Sequence, residues 1–116
     1  MALVLVVDDE CFVRMGAVQL VEQAGHQVIE AANADDAIRI LESRTDVEIV
    51  LSDVKMPGSM DGLELIRVIR TRWPPIRLIL TSGKALAAQS AMPLGSVFLS
   101  KPFAYQELAG ALERAA

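Results

Sequence analysis

Short apolar runs separated by segments of helical period constrain this chain more than any other feature. "LVLVV" (3–7), "QVIEA" (27–31), "VEIVLS" (47–52), "RLILTS" (77–82) and "SVFLS" (96–100) have strand length, and most are rich in Val, Ile and Leu. Helical patterns lie at 11–24, 33–43, 61–73 and 104–116, with a weaker one at 84–91. Gly25 reads as a helix stop, Asn33 as an N-cap, and Pro74-Pro75 ends the third helix. In the first helix Phe12, Met15, Val18 and Val21 fall along one side, which predicts the face that packs. Runs that are apolar throughout need cover on both sides. Five strands alternating with five helices predict an α/β sandwich around a parallel sheet with right-handed crossovers. In such sheets ligands bind beyond the carboxyl ends of the strands.

Composition excludes several classes. A length of 116 residues fits one domain, expected over 1–116, and 53% apolar content argues against disorder. Eleven basic residues against fifteen acidic ones leave a net charge of −4, a poor balance for neutralising nucleic-acid phosphates. The longest apolar run, "MALVLVV", is too short to span a bilayer, and no basic region precedes it as in a signal peptide. A single cysteine, Cys11, cannot form an internal disulfide. A cytoplasmic protein is expected, and no output domain follows the last helix within this chain.

The carboxyl ends of the strands carry the polar chemistry. Asp8-Asp9-Glu10 follows the first strand, Ser52-Asp53 ends the third, Thr81-Ser82 the fourth, and Lys101-Pro102 follows the fifth. If the first and third strands are neighbours, Asp8, Asp9 and Asp53 converge. Three carboxylates at close range need a cation or protons between them. Oxygen-only ligation favours a hard cation such as Mg²⁺. A carboxylate nucleophile, a lysine, a hydroxyl and Mg²⁺ together suit phosphoryl transfer.

The motifs "LVLVVDDE", "LSDVKMPGSMDGLEL", "LILTSG" and "VFLSKPF" carry a family resemblance. In that order and spacing the chain resembles the receiver domains of two-component response regulators, the CheY-like family, over essentially its whole length. The resemblance implies a flavodoxin-like three-layer sandwich: a five-stranded parallel sheet of order 2-1-3-4-5 with five helices on its two faces. It implies that Asp53 accepts the phosphoryl group. Asp8, Asp9, Asp53 and the backbone carbonyl of Lys55 would hold Mg²⁺, with Asp9 the direct ligand of the acidic pair. Thr81 matches the switch hydroxyl, Lys101 the lysine on the phosphoryl group, and Phe98 the rotating aromatic. A cis peptide is implied at Lys101–Pro102. The implied donor is a sensor histidine kinase or a histidine phosphotransfer protein. A downstream protein would bind the face made by the 84–91 helix, the fifth strand and the last helix. A domain that phosphorylates itself and slowly loses the group is expected, not a turnover enzyme, with neither nucleic acid nor membrane as a direct partner, as a monomer or weak dimer.

Two stretches depart from the commonest family pattern. The loop "MPGSMDG" is one residue longer, and "KALAAQSAMPLG" is short and contains Pro93. Two other readings compete. An Asp-nucleophile phosphatase would share the Asp, Mg²⁺ and Lys, but it needs a second Asp two residues after the nucleophile, where Lys55 stands. A phosphorylation-independent pseudo-receiver would not need the full acidic set. Singly, each aspartate reads as a helix cap or strand end. Ser82 rivals Thr81, and Phe98 also reads as plain core. His26 reads as solvated, the arginines at 67, 70, 72 and 77 as a solvated helix end, and Asp35 and Asp36 with Arg39 as surface pairs.

Overall fold

The computed structural model describes residues 2–54, 60–82 and 96–115. Its elements run β1 (Leu3–Val7), α1 (Cys11–Gln23), β2 (Gln27–Ala31), α2 (Ala34–Ser43), β3 (Ile49–Asp53), α3 (Gly62–Arg72), β4 (Arg77–Ser82), β5 (Val97–Ser100) and α4 (Tyr105–Ala115). The sheet order is β2-β1-β3-β4-β5, with every neighbouring pair parallel. This is the doubly wound sandwich expected from the alternation of runs, in the expected strand order. Four helices belong to the described residues. The helix expected at 84–91, Lys55 and the Pro57-Gly58 turn lie outside them.

Strand alternation sorts the core into two layers. Leu3, Leu5 and Val7 of β1, Val50 of β3 and Leu78 and Leu80 of β4 face Leu41 of α2 and Leu65, Ile66 and Ile69 of α3. Val4, Val6, Ile49, Leu51 and Ile79 face the other way, onto Ala17 and Val21 of α1 and Leu108, Ala111 and Leu112 of α4. Each fully buried Leu or Ile contributes about 1.5–3 kcal/mol relative to exposure. Both layers draw on the same three central strands, so the strand ends cannot shift without disturbing two packed faces.

Local sequence sets the helix ends. Asn33 caps α2, its side chain accepting from the Asp36 N–H at 2.8 Å. Asp61 caps α3 in the same way, accepting from Glu64 N–H at 2.9 Å. Gly25 ends α1 with φ at +92°, a conformation that costs glycine little. β1, β2 and β4 have the expected boundaries, and the other described elements differ from theirs by one or two residues at an end. β3 begins at Ile49 and includes Asp53, because its pairing with β4 runs through Asp53 and Thr81.

Two expectations fail. Phe12 is 88% exposed and Met15 is 48% exposed, so they do not line the packed face of α1. That face is Ala17 and Val21, with Val18 and Leu20 beside them. The small Ala17 fits where α1 lies close to the sheet, and the stripe is rotated away from the two large residues. His26 is half-buried, and its Nδ1 accepts the Ala2 N–H at 2.9 Å, tying the start of β1 to the turn before β2.

Candidate functional site

Because β1 and β3 are neighbours, their carboxyl ends open side by side. Asp8 and Asp53 are buried there, at 4% and 8% exposure, while Asp9 is exposed. One carboxylate oxygen from each of Asp8, Asp9 and Asp53 lies within 4.8 Å of the others. Lys101, which follows β5 and heads a cis peptide to Pro102, reaches into this cluster. Its Nζ stands 3.1 Å from Asp8 Oδ2 and 3.2 Å from Asp53 Oδ2. Burial alone would pull the Lys101 ammonium down, but hydrogen bonds and charge from Asp8 and Asp53 outweigh it and hold its pKa above the ordinary lysine value. One ammonium against three carboxylates still leaves the site acidic.

Asp8 is fastened at each of its polar atoms. Its N–H donates to Ala31 O at 3.1 Å, extending the β1–β2 ladder by one bond. Oδ1 accepts the Glu10 N–H at 3.0 Å, and Oδ2 accepts from Lys101. Its carbonyl accepts from Arg14 Nη1 at 2.7 Å. Asp9 has no such set of bonds and faces solvent, the position from which a carboxylate can meet a partly hydrated cation.

Asp53 is held from behind. The Ser52 hydroxyl donates to the Asp53 carbonyl at 3.0 Å, and Val54 N–H donates to Thr81 O at 2.9 Å. Gly62 N–H donates to Val54 O at 2.8 Å, drawing the start of α3 onto the strand end. A Cβ on Gly62 would stand 1.8 Å from the Asp53 carbonyl oxygen, so no other residue fits without moving the backbone. The glycine after the capping Asp61 thus lets a helix abut the strand that carries Asp53.

Thr81 is the register partner of Asp53 and is buried at 3% exposure. It shares a small cleft with Asp8, Lys101, Val13 and Phe103 on the α1 side of the sheet. Ser82, one residue on, alternates to the opposite side. Phe98 is half-buried and packs against the α2–α3 layer. The structure therefore brings Asp8, Asp9, Asp53, Lys101 and Thr81 to one place, sets Phe98 on the other side of the sheet, and leaves Lys55 outside the described residues. Three carboxylate oxygens within reach of one another suit a hard divalent cation of the Mg²⁺ kind, so the donor set fits such an ion. Sequence reasoning passed over Arg14 and the close approach of Gly62. Arg14 is a lone cation one helical turn after the acidic run, a signal that gains meaning only once its partners are known.

The sequence matches the profile of the response regulator receiver domain across residues 4–113. The chain belongs to that family, the receiver domains of two-component systems. It is 43% identical over 112 residues to the sensor kinase CckA of Brucella abortus, covering 93% of this chain and 12% of that protein. It is 34% identical to the DNA-binding transcriptional regulator NtrC of Salmonella typhimurium, covering 97% of this chain and 24% of the relative. The chain thus spans a quarter or less of these relatives. Among solved structures, the signal receiver domain of an HD domain-containing protein from Pseudomonas fluorescens superposes with a TM-score of 0.88 at 30% identity, covering 98% of this chain and 93% of that one.

Proposed function

We propose that this domain accepts a phosphoryl group on Asp53 from a phosphohistidine and signals by the change of shape that follows. The observation that carries this is Lys101, which bridges Asp8 and Asp53 with one ammonium at the mouth of an acidic cluster. An Asp53 oxygen attacks phosphorus; the new O–P bond forms as the N–P bond of the donor breaks, and its electron pair returns to the imidazole. Asp8, Asp9 and Asp53, with the Lys55 carbonyl, would hold Mg²⁺, which would supply positive charge for the phosphoryl oxygens. Lys101 leaves the Asp53 carboxylate to pair with a phosphoryl oxygen. The buried strand end and the Gly62 contact keep Asp53 from swinging away from the line of attack.

The donor in this reading is a sensor histidine kinase or a histidine phosphotransfer protein. Thr81 donates to a phosphoryl oxygen, and the accompanying shift of the β4 end is passed to Phe98 on the opposite side of the sheet, where its repacking changes the face around β5 and α4 that a downstream protein reads. Phosphorylation must favour the active form by several kcal/mol to make it dominant. The domain is a substrate and partial catalyst of its own modification, not a turnover enzyme, and works in the cytoplasm. Relatives named as a sensor kinase and as a transcriptional regulator both carry a matching segment, which supports the transfer step and no single output.

Labelling by acetyl phosphate tests the reading. Uptake that needs Mg²⁺ and disappears in Asp53→Asn is expected. Uptake that survives Asp53→Asn puts the acceptor elsewhere, and no uptake by the parent favours a pseudo-receiver.

A further inference from the structure

Arg14 lies outside the acceptor set, yet its guanidinium joins three elements. It projects from α1 and is mostly buried, with 17% of its side chain exposed. Nε donates to Glu30 Oε1 at 3.0 Å, on the edge strand β2. Nη1 donates to the Asp8 carbonyl at 2.7 Å, at the end of β1. The Asp8 carbonyl belongs to the peptide that leads into Asp9. Fixing that oxygen fixes the rotation of the peptide plane, and with it the direction in which Asp9 leaves the strand. α1 has no side-chain N-cap, since Glu10 makes no capping bond; the Asp8–Asp9–Glu10 turn is held by the Asp8 Oδ1 bond to the Glu10 N–H at one end and by Arg14 on the Asp8 carbonyl at the other. A planar guanidinium can serve both acceptors at once in a fixed geometry, which a lysine cannot.

We propose that Arg14 is a positioning residue for the cation site, aiming Asp9 through the Asp8 carbonyl and braced by Glu30. The inference rests on the metal reading above. Charge and positioning have opposite consequences here. A cation beside a cation site repels the ion, so removing the Arg14 charge alone would tighten Mg²⁺ binding. Losing the clamp lets the Asp8–Asp9 turn relax and weakens it.

The test is Mg²⁺ titration of ¹⁵N-labelled parent, Arg14→Met, Arg14→Lys and Glu30→Ala proteins, following amide shifts at residues 8–14 and 53–54, with a thermal melt for each. Both Arg14 variants are expected to bind Mg²⁺ more weakly, on the order of tenfold, as when a residue supporting a metal ligand is lost. Glu30→Ala, on an exposed edge, should fold like the parent and lose roughly threefold, the low end of what a hydrogen bond is worth. Tighter binding by Arg14→Met with parent-like Arg14→Lys would reduce the residue to its charge and overturn the proposal. Parent-like affinity with lowered melting would make it scaffolding only and equally overturn it; if Arg14→Met and Arg14→Lys do not fold, parent-like binding by Glu30→Ala does the same. A parent whose amides at 8–10 and 53 ignore Mg²⁺ removes the metal reading itself, a failure distinct from parent binding that the variants leave untouched.

Discussion

The two ends of the sheet use the same residue types to opposite effect. At the carboxyl end Lys101 is set between Asp8 and Asp53, whose side chains are only 6% and 10% exposed. At the amino end Arg44 pairs with Asp46 at 2.8 Å and Arg72 with Glu42 at 2.9 Å, all four side chains 45% or more exposed. There the ions stand at or near the rim of an open groove of about 590 Å³ whose walls include Val47, Trp73, Pro74 and Pro75. Arg72 also stacks over Trp73, 4.3 Å from the ring centroid. Exposed pairs are screened by water and contribute little, while a buried charge without its partner is costly. The amino end can therefore lose a charge with small consequence. At the carboxyl end each charge is tied to the others.

Lys101→Ala should give the largest effect. It removes the ammonium that pairs with the phosphoryl oxygens, and acetyl-phosphate labelling of Asp53 should slow on the order of a hundredfold, as when one preorganised donor is deleted. Rapid-quench labelling checks this; a parent-like rate would reduce the carboxyl-end pair to another surface ion pair. Gly62→Ala should come next. Its Cβ meets the Asp53 backbone, and relieving the clash costs about 1–3 kcal/mol, as in overpacked cores. Urea denaturation should show the loss, with labelling slowed beyond what the unfolded fraction explains. Unchanged stability would mean the strand end yields more easily than two-sided packing implies.

Glu42→Gln sharpens the comparison from the other side. It breaks an exposed pair but leaves Arg72 on Trp73, so the unfolding free energy from urea denaturation should fall by less than about 1 kcal/mol, and less again in high salt.

The smallest effect is in pH dependence, where the two ends diverge in sign. The hydrogen bond from Arg44 holds the Asp46 carboxyl below its usual range. Its contribution is present above about pH 4 and fades as pH falls through the lowered native value. Lys101, without divalent metal, is held above its usual range, so its contribution is complete below about pH 10 and fades as pH rises through the raised native value. Urea midpoints in EDTA should thus lose their Asp46→Asn difference at acid pH and their Lys101→Met difference at alkaline pH. The same pH dependence for both would contradict this assignment.

Strand runs were legible because a strand covered on both faces must be apolar throughout, and helix ends because Asn33, Asp61 and Gly25 act on their own neighbours. The α1 face was misread for a reason of the same kind. Helical period orders residues around an axis but does not say which side meets the sheet, and the small Ala17 made the choice over Phe12 and Met15. Within the site, the aspartates and Lys101 showed as residue types at strand ends. Their distances did not, since Lys101 is 93 residues from Asp8 along the chain.

By itself the sequence determined the local choices: which runs are strands, where helices begin and stop, which carboxylates and cations stand at strand ends, and the family to which the chain belongs. These follow from backbone preference and from period, which act over a few residues. Only the tertiary structure decided that Asp53 pairs in register with Thr81, that α3 starts close enough to require Gly62, and that Arg14 spans from Glu30 to the Asp8 carbonyl. Those contacts depend on distance in space between distant segments, which strand order and two-sided packing set together.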